Sequence, residues 1–399
     1  MTEQQIILLS AATAARREEA GGRVEAGARS VDWSLLAGML GAQRLLPTLG
    51  PRILELAGEA APDDFEVAVV GEIEAAQRQD ALLQLISART VEALADAGIR
   101  SAGLKGPALG EALHGEAGRR LSSDIDLLVA PEQLGRAVEV VRGMGYASPT
   151  DHVDAGGLPQ LHFALVHERG ELPPVELHWR IHWYETRFAS ERLLPDGTGQ
   201  IGWRPAPVDE LTALLLFYAR DGFTGLRQAT DLGAWWDAFG AELDPGALAE
   251  QARTYPALAP ALAAALAVAE RTVGLPAEIG EGVALGGRGH LAVRLAHAHP
   301  YDSEAQLFAE IGLIDGLLTP ARGLPAFFRR QIAPPAEVIR EHAEKAHRGR
   351  AMSPAGYGLR VLGRYVLAIA RLLRIPGGIG PIFAPRQPAE RNFSTASSR

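Results

Sequence analysis

Apolar positions recur at helical spacing through most of this chain, and one central stretch breaks the habit. Leu82, Leu83, Leu85 and Ile86 give residues 65–97 an apolar stripe of helical period, which predicts one or two long helices ended by Gly98. Helices are predicted likewise over residues 6–17, 32–40 and 53–60, the last before the Ala61-Pro62-Asp63-Asp64 break. From residue 101 the pattern shortens to apolar runs bounded by Gly and Pro. Residues 101–104, 123–129, 161–168 and 174–179 read as strands, with helices over 107–113 and 131–142 among them. Residues 151–160 are polar and Gly-rich and read as a loop. Helical period returns over 208–220, 226–239, 247–273, 290–297, 302–317, 336–346 and 356–373, with prolines interrupting 318–335. Residues 375–399, rich in Pro, Gly and Ser, read as a disordered tail.

This order of elements predicts an α+β fold, a small mixed sheet of three or four strands with helices against one face, flanked by helical regions. The expected divisions are an N-terminal helical region at 1–80, a sheet-bearing core at 81–206, a C-terminal helical domain at 207–374 and the tail. At 399 residues, 47% hydrophobic and 22% charged, the composition is that of a globular protein with room for a large core. A net charge of −9 opposes binding of long DNA or RNA. The absence of cysteine excludes disulfides and thiolate metal sites and fits a cytoplasmic location. The start, Met1-Thr2-Glu3-Gln4-Gln5, lacks the basic segment of a signal peptide. The most apolar run, 257–269, contains Pro260 and is too short for a membrane span.

Chemistry concentrates at Ser122-Ser123-Asp124-Ile125-Asp126-Leu127-Leu128-Val129. Read as a strand, this stretch puts Asp124 and Asp126 on one face, their Cα atoms about 6–7 Å apart. Two like charges so placed repel, and a hard divalent cation such as Mg²⁺ removes the repulsion while binding phosphate oxygens. The bland alternative is a strand ending in an acidic turn. Upstream, Gly103-Leu104-Lys105-Gly106-Pro107 reads as strand, turn and helix start, a turn that offers backbone N–H groups and a positive helix end to an anion. Arg119 and Arg120 precede the acidic pair, and Glu176 stands alone in the apolar run Pro174-Val175-Glu176-Leu177-His178-Trp179.

The Leu104-Lys105-Gly106, Arg120-x-x-x-Asp124-Ile125-Asp126-Leu127-Leu128-Val129 and Val175-Glu176-Leu177-His178-Trp179 segments resemble the uncharacterised bacterial nucleotidyltransferases of the DNA polymerase β-like superfamily. The resemblance is specific over about residues 80–185 and weaker over 211–236. It implies transfer of a nucleoside monophosphate from an NTP to a hydroxyl-bearing acceptor, a small molecule, natural product or protein, with release of pyrophosphate. It further implies Mg²⁺ (or Mn²⁺) on Asp124, Asp126 and Glu176, with Glu176 either a metal ligand or the base. Nucleotide binding falls to Lys105 and Gly106, then Arg120, Ser122 and Ser123. Gly106-Pro107 departs from the Gly-Ser found in many relatives, and proline removes one N–H donor.

Arg227 and Asp231, spaced i, i+4, suit a surface salt bridge. Because an Arg and an Asp recur on this helix in the resembled family, both are also candidate substrate-binding residues, as is His178. His178 and His182 have helical metal-ligand spacing, but His178 falls at a strand end with no third ligand evident. It is expected to orient Glu176 or to pack beside Trp179 and Trp183. His162 and His167, five residues apart on one strand, face opposite ways. Arg360, Arg364, Arg371 and Arg374 flank the apolar residues of the last helix and read as its solvated face. The alternative function is a non-catalytic, nucleotide-sensing regulator on the same fold, motivated by Gly106-Pro107; retention of three acids argues for catalysis.

Overall fold

The computed structural model describes residues 1–147, 161–183, 185, 187–196, 203–296, 304–334, 336, 339 and 353–374. The loop expected at 151–160, most of the helix expected over 336–346 and the tail from 375 lie outside the described residues.

Four helices open the chain: α1 (Glu3–Ala11), α2 (Ala14–Ala28), α3 (Trp33–Ala42) and α4 (Leu46–Ala57). The Thr2 hydroxyl accepts from the Gln5 N–H and the Gln5 side chain accepts from the Thr2 N–H, so α1 starts with reciprocal capping. The single helix expected over 6–17 divides because Ala12 and Thr13 are extended. α5 (Asp63–Asp96) then runs 34 residues without a break, begun by Pro62 and by Asp63, Asp64 and Glu66 in its first turn, where acids suit the helix dipole.

The sheet follows as β1 (Ser101–Gly103), α6 (Pro107–His114), β2 (Ile125–Val129), α7 (Leu134–Gly143), β3 (Tyr146–Ala147), β4 (His162–His167) and β5 (Val175–His178). Its order is β1-β2-β5-β4-β3, with β2 and β5 parallel and every other pair antiparallel. The sheet has five strands; two-residue β3 is too short to leave a period in the sequence. β2 begins at Ile125, so Asp124 stands just before the strand and the expected alternation covers only Asp126.

Alternation splits the sheet's two faces. Ile125, Leu127, Val129, Phe163, Leu165, Val175 and Leu177 pack on α5 through Leu83, Ile86, Val91 and Leu94, and on α7 through Ala137, Val138 and Val141. The opposite face carries Asp126, Glu176, His178 and His162, and there Leu128 joins a second, larger core. That core takes in Ile6 of α1, Leu36 of α3, Leu49 of α4 and the start of α5 at Phe65 and Val69. α5 therefore crosses the expected division at residue 80 and serves both cores, one with each half.

The rest is helical: α8 (Pro207–Arg220), α9 (Arg227–Phe239), α10 (Ala247–Thr254), α11 (Ala259–Val273), α12 (Gly287–Ala296), α13 (Glu304–Leu318), α14 (Leu324–Ile332) and α15 (Pro354–Arg374). The helix expected over 247–273 is two, separated at Tyr255–Leu258. α14 forms within the proline-interrupted segment because its proline lies in the first turn, where a missing N–H costs no helical bond. α8, α9 and α11 supply the centre of the larger core, Leu215, Leu216, Trp235 and Leu262 being fully enclosed. No helix among the described residues is long and apolar enough to cross a membrane.

Candidate active site

Register builds the centre of the site. Asp126 on β2 stands opposite Glu176 on β5, and His178 on β5 stands opposite His162 on β4. Residues paired across neighbouring strands share a face, so one carboxylate pair and one imidazole pair meet on the side away from α5 and α7. The Leu104 N–H donates to the Asp126 carbonyl at 3.1 Å, which pins the turn after β1 beside the acidic strand. Lys105 Nζ accordingly lies 3.5 Å from Asp126 Oδ2 and rests 4.2 Å above the centre of the Phe217 ring.

His178 is fully buried, with Nε2 2.8 Å from Asp126 Oδ1 and 3.4 Å from Glu176 Oε2. His162 Nε2 stands 3.7 Å from the same Glu176 oxygen. His178 thus holds both strand carboxylates, as well as lying at the strand end next to Trp179. Burial would raise the Asp126 carboxyl, but Lys105 and the His178 hydrogen bond outweigh it and hold the group well below the usual carboxylate range. Glu176 follows the same balance: burial works upward, while bonding to His178 and the nearness of His162 bring it down.

Asp124 behaves oppositely. Burial pushes its carboxyl up, Asp126 and Glu176 push it further, and Lys105 and Arg227 oppose them only in part. Gly106 has φ +95°, a left-handed conformation suited to glycine, and among the described residues no heavy atom stands within 4 Å of where its Cβ would be. The turn between Lys105 and α6 is thus open above the backbone.

Other expected residues are committed elsewhere. Arg120 is buried, its Nε 3.1 and 3.0 Å from the two Asp231 oxygens and its Nη1 3.0 Å from the Ser122 hydroxyl. This corrects the expected surface pairing of Arg227 with Asp231. Asp231 is 3% exposed and pairs with Arg120, so it forms no surface bridge with Arg227. Arg120 and buried Ser122, expected at the nucleotide, clasp the acidic loop to α9. Ser123 is exposed. Arg227 donates through Nη2 to the Leu121 carbonyl, and burial, then the neighbouring Arg120 charge, lowers its pKa to about 10.

Two residues at this centre were not foreseen. Arg220 ends α8 beside the site: its Nε donates to Asp221 Oδ1 at 2.9 Å and its guanidinium lies 4.9 Å from the Phe217 ring centre. Its Nη1 is buried without a hydrogen-bond partner among the described residues. Although burial disfavours its charge, Asp221 and then the fields of Asp126 and Glu176 raise its pKa. The available signal was an Arg-Asp pair closing an otherwise apolar helix. The other is His162, which sequence spacing set only against His167.

A family model described as an uncharacterised nucleotidyltransferase matches residues 29–274, more than half of the chain. The match runs through α3 to α11 and includes every residue of the site above. No curated protein and no solved structure matches significantly.

Proposed function

The chain belongs to this family of uncharacterised nucleotidyltransferases, and from that premise we propose that it transfers a nucleoside monophosphate from an NTP to a hydroxyl-bearing acceptor, releasing pyrophosphate. The observation that carries the reading is the pairing of Asp126 with Glu176 on one sheet face, with Asp124 standing just before the same strand. Three neighbouring carboxylates would supply hard oxygen donors of the kind a divalent cation takes, although among the described residues the three groups whose donor atoms lie within 4.8 Å of one another are His162, Glu176 and His178. Asp124, Asp126 and Glu176 would hold Mg²⁺ or Mn²⁺. When bound, such an ion neutralises charge on the phosphate oxygens as the leaving pyrophosphate departs.

The chain's own groups have distinct tasks in this reading. Lys105 and the open turn at Gly106 receive the triphosphate, the ammonium as a point charge and the first turn of α6 through its N–H groups. Arg220 approaches the same carboxylates from α8 with one buried nitrogen uncommitted, and would meet a phosphate oxygen. Glu176, held low by His178, is ionised at neutral pH and can accept the acceptor hydroxyl's proton or serve as the third ligand. His178 fixes Asp126 and Glu176 relative to each other. The acidic overall charge favours a small molecule or a protein side chain as acceptor over long nucleic acid.

Thermal unfolding in the presence of NTP tests the binding half of the proposal. NTP with Mg²⁺ should raise the melting temperature, with about 2.7 kcal/mol of stabilisation at ligand a hundredfold above Kd. NTP in EDTA should give none, because the three acids repel bare triphosphate. Equal stabilisation in EDTA would reject the metal-dependent site and favour a nucleotide-sensing module.

A further inference from the structure

The imidazole pair beside Glu176 has a chemistry that three carboxylates do not explain. His162 stands opposite His178 and Ala164 opposite Glu176, so the two histidines and the acid leave the same sheet face from neighbouring strands. One donor atom from each of His162, Glu176 and His178 lies within 4.8 Å of the others. The His162 and His178 Nε2 atoms are 3.7 and 3.4 Å from Glu176 Oε2. Metal–ligand bonds of about 2.0–2.1 Å in a tetrahedral site place donor atoms about 3.3–3.4 Å apart. The two spacings to Glu176 are near those edges, and the third, between the imidazoles, is no longer than 4.8 Å.

Burial is graded across the group. The side chain of His178 has no exposure, Glu176 has 22% and His162 has 39%. An ion arriving from solvent meets the accessible His162 first and is fixed against the enclosed His178. Binding there would compete with the 2.8 Å contact between His178 Nε2 and Asp126 Oδ1. Mg²⁺ prefers oxygen in a near-octahedral shell, whereas two imidazoles and a carboxylate suit Zn²⁺ and neighbouring transition ions.

We propose that His162, Glu176 and His178 form a binding site for a divalent transition ion of the Zn²⁺ class, adjoining the oxygen position of Asp124 and Asp126 and different from it in chemistry. The donor set stands whether or not the protein transfers nucleotides. Its consequence rests on that reading: Glu176, ligated here, is withdrawn from the acceptor hydroxyl, so occupancy inhibits transfer.

Cobalt(II) is the probe, titrated into full-length protein stripped with EDTA and followed by its visible ligand-field absorption. The expected result is one equivalent of Co²⁺ with an intense tetrahedral band, displaced by Zn²⁺ and retained in a large excess of Mg²⁺. His162→Ala, at a partly exposed position, should weaken Co²⁺ binding at least tenfold while its melting curve stays cooperative. His162→Gln, a second variant of similar size, should do the same. Asp124→Asn should bind Co²⁺ as the wild type does. Absence of the band, displacement by Mg²⁺, or unchanged binding in both His162 variants would overturn the proposal. Wild-type Co²⁺ binding through His162 without any NTP-dependent thermal shift would uphold this site and reject the nucleotidyl-transfer reading.

Discussion

Asp124 and Asp126 are one residue apart, yet their charges stand in opposite balance. Asp126 is held by Lys105 and His178 and titrates below its ordinary range, so its ionised form stabilises the fold at neutral pH, an advantage lost as pH falls through the carboxylate range. Asp124 titrates above its ordinary range, so its ionised form costs stability at neutral pH, a cost removed on acidification. Asp124→Asn should therefore leave the metal-free protein as stable as the wild type or slightly more so. Asp126→Asn should destabilise it by about 1–3 kcal/mol, because a charged hydrogen bond is lost and Lys105 is left without its partner. Denaturant unfolding in EDTA measures both, and equal effects would contradict this assignment of charge. Partly buried His114 and buried His182 add to the acid sensitivity. Burial lowers His114 to about 4 and His182 to about 3. The unfolded chain binds protons at these histidines below about pH 6.5 and the folded chain does not, so stability falls as pH drops from there toward those values. Between pH 7 and 5 each should cost about 2 kcal/mol. His114→Gln should flatten its share of the slope in unfolding free energy against pH.

At the scale of elements, the loop between α6 and β2 decides how the acidic strand is presented. Gly118 has φ +80°, and a Cβ there would stand 2.8 Å from the Ile73 carbonyl oxygen and 2.5 Å from the Gln77 side chain on α5. Its N–H donates at 2.8 Å to Asp80, itself buried in α5. Gly118→Ala should destabilise by about 1–3 kcal/mol through strain at positive φ and displacement of that helix contact. On the far side of the loop, the Arg120–Asp231 clasp is almost wholly enclosed. Removing one partner, as in Asp231→Asn, should cost about 3–5 kcal/mol, while Arg120→Met with Asp231→Leu should recover much of it. A double-mutant cycle by denaturant unfolding reads the coupling, and additive losses would contradict a direct pair. The sequence showed Lys105, Asp126 and Glu176 because each interrupts a short apolar run between turn residues. It misled at Arg120 and Asp231, which are 111 residues apart. A charge at i, i+4 looks like a local partner, and only tertiary packing reveals the distant one. β3 and the Ala12–Thr13 break were illegible for a related reason: two residues carry no period, and pairing with β4 or packing on α11 decides them.

Across the whole molecule, the sheet is held between two cores that divide its faces. Helical amphipathicity made the flanking regions readable, but not the route by which α1, α3 and α4 share a core with α8, α9 and α11. That route matters for the site, since α8 brings Arg220 and Phe217 toward the acids of β2 and β5, and α9 brings Arg227 against the loop that precedes β2. The central claim is that this assembly moves a nucleotidyl group, and the position of a label in the nucleotide tests it most directly. Wild-type protein, Mg²⁺ and candidate acceptors are incubated with NTP labelled at either the α- or the γ-phosphate, beside Asp124→Asn. The account predicts that α-label appears on the acceptor, γ-label appears in pyrophosphate, and the variant transfers neither. Transfer of γ-label to the acceptor, or α-label transfer undiminished in Asp124→Asn, would contradict it.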